Sequence, residues 1–93
     1  SMQRLSDRIV RDNDVTVKER NVLTDRKSLN VFESHGYRIA RLPEEFTCIA
    51  DSSNCKYEII AHGKKHIFGT QFHPEVSRDG MGIIRNFIQL TKN

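Results

Sequence analysis

His73 and Glu75 are the residues whose types and spacing best fit catalysis, and they lie in the stretch GTQFHPEVSRDG, residues 69–80. A histidine titrates near neutral pH and can accept or release a proton. A carboxylate two residues away can hydrogen-bond to one ring nitrogen and leave the other nitrogen to activate a nucleophile. The same spacing also fits a surface histidine beside a solvated glutamate, so the spacing alone does not decide between these interpretations.

The backbone around His73 predicts where its ring lies. His73 precedes Pro74, which favours an extended backbone, and it follows the strand-like run HIFGTQF, residues 66–72. We therefore expect the imidazole at the end of a strand, emerging at the edge of a sheet.

Two hairpins are predicted to position this strand. Alternating apolar and polar residues in DVTVKER (14–20) and SLNVFESH (28–35) indicate two strands joined by NVLTDRK (21–27). Pro43 in LPEEF bars a central strand there, and TCIADSS (47–53) resumes a short strand. YEIIAH (57–62) and HIFGTQF flank GKK, where Gly63 is expected to supply a positive φ for a tight reversal.

After Pro74 the apolar period changes to that of a helix, with Asp79 as the predicted N-cap. The apolar face is predicted to dock against the sheet and comprises Met81, Ile84, Phe87, Ile88 and Thr91, opposite a polar face of Arg85, Asn86, Gln89 and Lys92. The chain is thus predicted to be an α/β unit of about five short strands and one carboxy-terminal helix.

Composition limits the function classes. The 93 residues are enough for one small domain. The net charge of +3 comes from charges that alternate in sign, which does not favour nucleic-acid binding. No apolar run is long enough to cross a bilayer and no secretory signal is evident, so we expect a cytoplasmic protein. Residues 1–14 have no clear element start, and Ser1 resembles the remnant of a tag.

Cys48 and Cys55 are expected to be reduced thiols, because a disulfide would require their flanking segments to pair as a hairpin. Zinc ligation by the two cysteines with two of His35, His62, His66 and His73 has no recognisable ligand spacing. We predict no metal and no cofactor.

The run IFGTQFHPEVSRDGMGIIRNFIQL resembles the closing segment of class I, triad-type glutamine amidotransferase domains. Upstream, LNVFESHG followed by LPEEFTCIADSSNCKYEII is similar to the Ser-His-Gly turn, Leu-Pro stretch and Cys-containing segment of these domains. Within the family, the ESHG and NC context is most similar to the amidotransferase subunit or domain of GMP synthetase. The implied fold is part of a flavodoxin-like amidotransferase domain, covering residues 15–93.

The resemblance implies a Cys-His-Glu triad that hydrolyses glutamine and releases ammonia to a synthetase partner. His73 matches the triad histidine and Glu75 the triad carboxylate. His35, Gly36 and Tyr37 match the segment that lines the glutamine pocket, where backbone groups are the expected contacts. The GMP synthetase pattern favours Asp at the position of Tyr37, so the exact subfamily stays open.

The family nucleophile lies in a Gly-x-Cys-x-Gly elbow, which this sequence does not contain. Cys48 and Cys55 lack flanking glycines and are expected to be small buried apolar residues. We expect the chain to be the carboxy-terminal half of an amidotransferase domain, inactive in isolation, with the elbow preceding residue 1. Three alternatives are open: a split or truncated product that needs a separate amino-terminal half, a non-catalytic interaction module, or a piece that pairs with itself as a homo-oligomer.

Overall fold

The computed structural model describes residues 2–91, without the side chain of Ser6. Within this range the chain forms five strands, a short 3-10 helix and one α-helix. The strands are β1 (Met2–Val17), β2 (Ser28–Ile39), β3 (Phe46–Asp51), β4 (Ile59–His62) and β5 (Phe68–Thr70). The 3-10 helix covers Pro74–Val76, and α1 covers Arg78–Thr91. The predicted number of strands and the terminal helix are therefore confirmed.

The strands described here form one antiparallel sheet in the order β2-β1-β3-β4-β5. Both predicted hairpins are present, since β1 pairs with β2 and β4 pairs with β5. An isolated antiparallel bridge joins His73, three residues after β5, to Phe32 on the free edge of β2. β5 and β2 are the two edge strands of the sheet. After β5 the chain therefore crosses to the opposite edge, where His73 lies beside β2.

The observed β1 begins at Met2, twelve residues before the predicted strand. Residues 2–12 of β1 are exposed or half-buried wherever their burial is described, so no buried apolar face marks this part in the sequence. Pairing with β2 gives these residues their strand conformation.

The connection between β4 and β5 differs from the tight reversal expected at Gly63, because the φ of this glycine is not positive. The connection spans residues 63–67, and the ring Nδ1 of His62 accepts hydrogen bonds from the backbone amides of Lys64 and Lys65. The Gly63 amide donates to the Glu45 carbonyl. A five-residue loop with these bonds reverses the chain without a left-handed residue.

The core lies between the inward face of the sheet and α1. Alternate residues of β1 and β2 point inward, which buries Val15, Leu29 and Val31. The buried apolar cluster is completed by Leu23, Ile49, Ala50, Ile59, Phe72 and Ile83.

Helix α1 docks on the sheet, as predicted, through a face that includes the predicted Phe87 but not Met81 or Ile88. Gly80 and Ile83 are buried in α1, and Phe87 packs edge-to-face on Phe68 with ring centroids 5.8 Å apart. Met81 and Ile88, assigned to the buried face from the sequence, are 36% and 47% exposed. The apolar residues of this helix span a wide arc, and contact with the sheet selects the part of that arc that is buried.

Asp79 is not the N-cap of α1. The Ser77 hydroxyl accepts a hydrogen bond from the Gly80 amide at 2.9 Å, which is the capping bond. Asp79 instead lies in the first turn, where its carboxylate accepts from the Asn30 amide at 2.7 Å and pairs with Arg26 at 2.8 Å. Asp79 therefore fixes the start of α1 against β2.

Candidate active site

His73 lies at the edge of β2, in agreement with the predicted extended conformation. Its φ and ψ are −93° and 97°, and its amide donates to the Phe32 carbonyl at 3.0 Å. The imidazole is 48% exposed. The backbone of His73 is thus fixed by the sheet, while its ring stays open to a reactant.

Glu75 and Ser34 flank the His73 ring. The Glu75 Oε2 lies 3.4 Å from Nδ1, and the Ser34 carbonyl oxygen lies 3.2 Å from Nε2. The first distance is long for a strong hydrogen bond, and Glu75 is 61% exposed. A carbonyl oxygen only accepts, so the Ser34 contact is a hydrogen bond when Nε2 carries a proton. Glu75 and the Ser34 carbonyl thus lie on opposite sides of the ring, one at each nitrogen.

The predicted substrate-binding segment, residues 35–37, directly follows Ser34 and therefore lies beside His73. The His35 ring points inward and is 10% exposed, with Nε2 2.6 Å from the Glu33 carboxylate and Nδ1 donating to the Tyr37 carbonyl at 2.8 Å. Tyr37 is 53% exposed. Because both nitrogens of His35 are engaged inside the protein, any contact of this segment with a ligand falls to its backbone or to Tyr37.

Arg8 is a neighbour of this segment that the sequence pattern did not indicate. Its guanidinium donates to the Ser34 carbonyl at 3.3 Å and to the Ser34 hydroxyl at 3.1 Å. A Cβ placed on Gly36 would lie 3.7 Å from Arg8 Nη1. The irregular pairing between Arg4 and Ile9 brings this residue to the site, and such irregularities leave no periodic signal in a sequence.

Neither cysteine has the environment of a nucleophile. Cys55 is 3% exposed, and burial together with the nearby Glu58 and Glu33 carboxyls raises the pKa of its thiol to about 12. Burial also raises the pKa of Cys48, whose Sγ donates to the carbonyls of Ala50 and Lys56. Both cysteines are free thiols. A reactive cysteine needs a stabilised thiolate, and these two sites disfavour it.

A buried polar cluster beneath the 35–37 segment was also missed. Glu33 and Glu58 have no exposed surface, and Asn13 is 7% exposed. The signal for Glu33 was present, since Leu29 and Val31 set the inward face of β2 and the next two inward positions are Glu33 and His35. No alternation pattern in the sequence indicates that Glu58 lies in the same cluster as Glu33.

This cluster contains the one group of possible metal ligands found among residues 2–91. One ligand atom each from Glu33, His35 and Cys55 lie within 4.8 Å of one another. Both Glu33 oxygens and both His35 nitrogens already have protein partners. Glu33 and His35 are therefore part of a hydrogen-bonded network, in which their polar atoms have partners without an ion.

Comparison with known proteins now decides the family. The model of the family "Glutamine amidotransferase class-I" matches residues 3–90. The chain belongs to this family. The resemblance drawn from QFHPE and the upstream block is therefore confirmed, as is the expected partial amidotransferase fold.

The curated relatives include GMP synthases, in agreement with the expected subfamily. A glutamine-hydrolyzing GMP synthase from Hamiltonella defensa is 44% identical over 62 residues, which cover 64% of this chain and 12% of that protein. A subunit of the glutamine-hydrolyzing GMP synthase from Archaeoglobus fulgidus is 41% identical over 68 residues, which cover 71% of this chain and 37% of the relative. The chain thus spans well under half the length of these relatives.

Solved structures show the same fold. A proposed GMP synthase subunit from Thermoplasma acidophilum superposes with a TM-score of 0.87 at 31% identity, covering 97% of this chain and 47% of that one. A glutamine amidotransferase from Thermotoga maritima gives a TM-score of 0.71 at 25% identity, covering 97% and 38%. Within the described residues, no helix is long and apolar enough to cross a membrane. The cytoplasmic location stays a prediction.

Proposed function

We propose that this chain supplies the histidine and the carboxylate of a Cys-His-Glu triad that hydrolyses glutamine to glutamate and ammonia. The observation that carries the proposal is the His73 ring, fixed at the edge of β2 between Glu75 and the Ser34 carbonyl. Family membership over residues 3–90 supports the reaction class. The ammonia would pass to a synthetase that forms GMP, as the names of the relatives suggest.

His73 acts first as a base in this proposal. It takes the proton of an attacking thiol on Nε2, and the resulting imidazolium is stabilised by Glu75 at Nδ1 and by the Ser34 carbonyl at Nε2. The same proton then goes to the departing ammonia as the glutamyl thioester forms, and water hydrolyses the thioester. Glu75 orients the ring and contributes modestly, because exposed ion pairs are weak.

The nucleophile comes from residues outside this sequence. The raised thiol pKa values of Cys48 and Cys55 disfavour the thiolate that a nucleophile needs. We propose that an amino-terminal half carrying a Gly-x-Cys-x-Gly elbow binds over the exposed His73 ring. Several apolar side chains on the surface are available for association, and they are Met2, Val10, Val22, Tyr37, Ile67, Val76, Met81 and Ile88. Without that half, we expect the same surface to drive self-association.

The test is glutamate release from glutamine by the purified chain, alone and with an elbow-bearing amino-terminal half. We expect activity only in the mixture, and His73→Ala should lower it about 100-fold or more. His66→Ala is the matched control, because His66 is exposed in the β4–β5 connection away from His73. Complex formation is followed in parallel by light scattering.

Two outcomes contradict the proposal. A stable complex without glutaminase activity would favour the non-catalytic interaction module. Activity of the chain alone that is lost in a Cys48→Ala, Cys55→Ala double variant would mean that one of these thiols is the nucleophile. Separately, a monomer at micromolar concentration in the absence of the other half would refute the expected self-association.

A further inference from the structure

Glu33 and Glu58 are two fully buried carboxyls that the proposed triad does not use. Burying a charged carboxylate is costly unless hydrogen bonds or an opposite charge compensate it. Two such groups side by side raise the cost further, because like charges repel strongly where water is excluded. The hydrogen-bond partners of the two carboxyls therefore decide how the structure tolerates their burial.

Glu33 is the acceptor at the centre of the network. The Asn13 amide nitrogen donates to its Oε2 at 2.5 Å, and His35 Nε2 lies 2.6 Å from its Oε1. The other ring nitrogen, Nδ1, faces the Tyr37 carbonyl at 2.8 Å and must carry a proton, since that oxygen only accepts.

Glu58 completes the network as a neutral acid. The Ser52 hydroxyl donates to its Oε2 at 2.5 Å, while no protein donor in the described chain reaches its Oε1. The pKa of Glu58 is raised to about 8, mainly by burial and to a smaller extent by a side-chain hydrogen bond with Glu33. A protonated Glu58 can donate a hydrogen bond to Glu33, whereas two ionised carboxylates side by side would repel each other.

The charged and titratable groups facing this pair come from several elements. Glu33 and His35 lie on β2, Asp51 lies at the end of β3, and Cys55 lies in the connection before β4. Glu33 and Asp51 both raise the pKa of Glu58. Arg38 lowers the pKa of the Cys55 thiol, which partly offsets the effect of burial. The loss of the Glu58 proton would therefore add a negative charge beside the carboxyls of Glu33 and Asp51.

The network ends on the backbone of the predicted glutamine-binding segment. The Tyr37 carbonyl accepts from His35 Nδ1 at 2.8 Å and from the Gln71 side-chain amide at 3.0 Å. The Gln71 side-chain oxygen accepts from the Ile39 amide, and its backbone amide donates to the Glu58 carbonyl at 2.8 Å. Glu58 is thus connected to Tyr37 by its side chain through Glu33 and His35, and by its backbone through Gln71.

We propose that Glu33 and Glu58 are positioning residues for glutamine binding, because Glu33, the buried neighbour of Glu58, holds His35 by a hydrogen bond and His35 holds residues 35–37 in their binding conformation. The inference rests on the proposed function for its substrate. Neither carboxyl touches the reacting atoms, and His73 keeps its own contacts to Glu75 and Ser34. Loss of the Glu58 proton should therefore weaken glutamine binding more than turnover.

The first test measures KM and kcat for glutamine between pH 6 and 10 in the complex with the elbow-bearing half. For the unaltered chain, KM should rise about tenfold per pH unit above pH 8, since one proton is lost, while kcat stays within about twofold of the control. Glu58→Gln should remove this additional rise, because the amide can donate to Glu33 and does not titrate. Glu44→Gln, at an exposed site, is the matched control and should behave as the unaltered chain.

The second test needs no enzymatic activity and so separates this inference from the proposed function. Nitrogen NMR of the histidine rings in the chain alone should show a change at His35 as Glu58 loses its proton, absent in Glu58→Gln. A KM profile unchanged by Glu58→Gln, or a His35 signal that ignores Glu58, would overturn the inference. Zinc that binds to the chain and is lost in Cys55→Ser would overturn it too, since the cluster would then be a metal site.

Discussion

Gly80→Ala should disturb the turn at residues 73–75, which carries His73 and Glu75, because α1 approaches Pro74 closely at this position. A Cβ on Gly80 would lie 2.3 Å from the Pro74 carbonyl oxygen, 2.6 Å from its Cα and 2.8 Å from its carbonyl carbon. All three are backbone atoms, so no side chain can rotate away. The helix or the turn must shift by about 1 Å to restore normal contact. Pro74 separates His73 from Glu75, so the shift reaches both.

The magnitude follows from two opposing effects. Replacing glycine by alanine in a helix gains at most about 1 kcal/mol, and forcing extra atoms into a packed site costs about 1–3 kcal/mol. Gly80→Ala should therefore lower the free energy of unfolding by about 1–2 kcal/mol. Gly82→Ala is the matched control in the same helix, since the nearest atom to its added Cβ is Arg85 Nη2 at 3.9 Å. This control should gain up to about 1 kcal/mol.

Urea unfolding of the two variants, followed by circular dichroism, measures the difference. Glutaminase activity of the complex with the elbow-bearing half gives the second readout, and Gly80→Ala should lose activity while Gly82→Ala keeps it. If Gly80→Ala were as stable and as active as Gly82→Ala, the contact between α1 and Pro74 would not position the site.

Three further predictions concern pH, thiol reactivity and helix docking. Because the pKa of Glu58 is about 8 in the folded chain, above its ordinary value of 4.5, stability should fall as pH rises between these values. From pH 6 to 8 the fall is about 2 kcal/mol, and urea unfolding of Glu58→Gln should lack it. The Cys55 thiol should react with a disulfide reagent at pH 8 only after urea unfolds the chain; reaction in the native chain at the unfolded rate would contradict its burial. Asp79→Asn, which weakens the pairing with Arg26, should cost about 1–2 kcal/mol in urea unfolding, whereas the exposed control Asp25→Asn should cost little.

The sequence predicted those features that depend on residues close together in the chain. The extended conformation of His73 follows from Pro74, and the approach of Glu75 to its ring follows from a two-residue separation. The strands of the two hairpins follow from local alternation, except for residues 2–12 of β1. The run QFHPE was specific enough to indicate the family, which the match over residues 3–90 bears out.

The failed predictions share one cause, which is competition from distant residues. Asp79 has the right type for an N-cap, yet Arg26 and the Asn30 amide engage its carboxylate, and Ser77 caps the helix. The buried face of α1 was misassigned because the sheet selects which part of a broad apolar arc is covered. The early start of β1 depends on pairing with β2, which local composition does not report.

The sequence by itself determined the family, the strands and helix, and the pair of His73 and Glu75, because each depends on short-range pattern or on a specific motif. Only the tertiary structure decided that Asn13, Glu33, His35 and Glu58 form one buried network. Glu33 and Glu58 are 25 residues apart in the sequence and meet because the sheet curls until the chain after β5 reaches β2. Burial then changes the chemistry of Glu58, since exclusion from water and the neighbouring Glu33 both raise the pKa of its carboxyl.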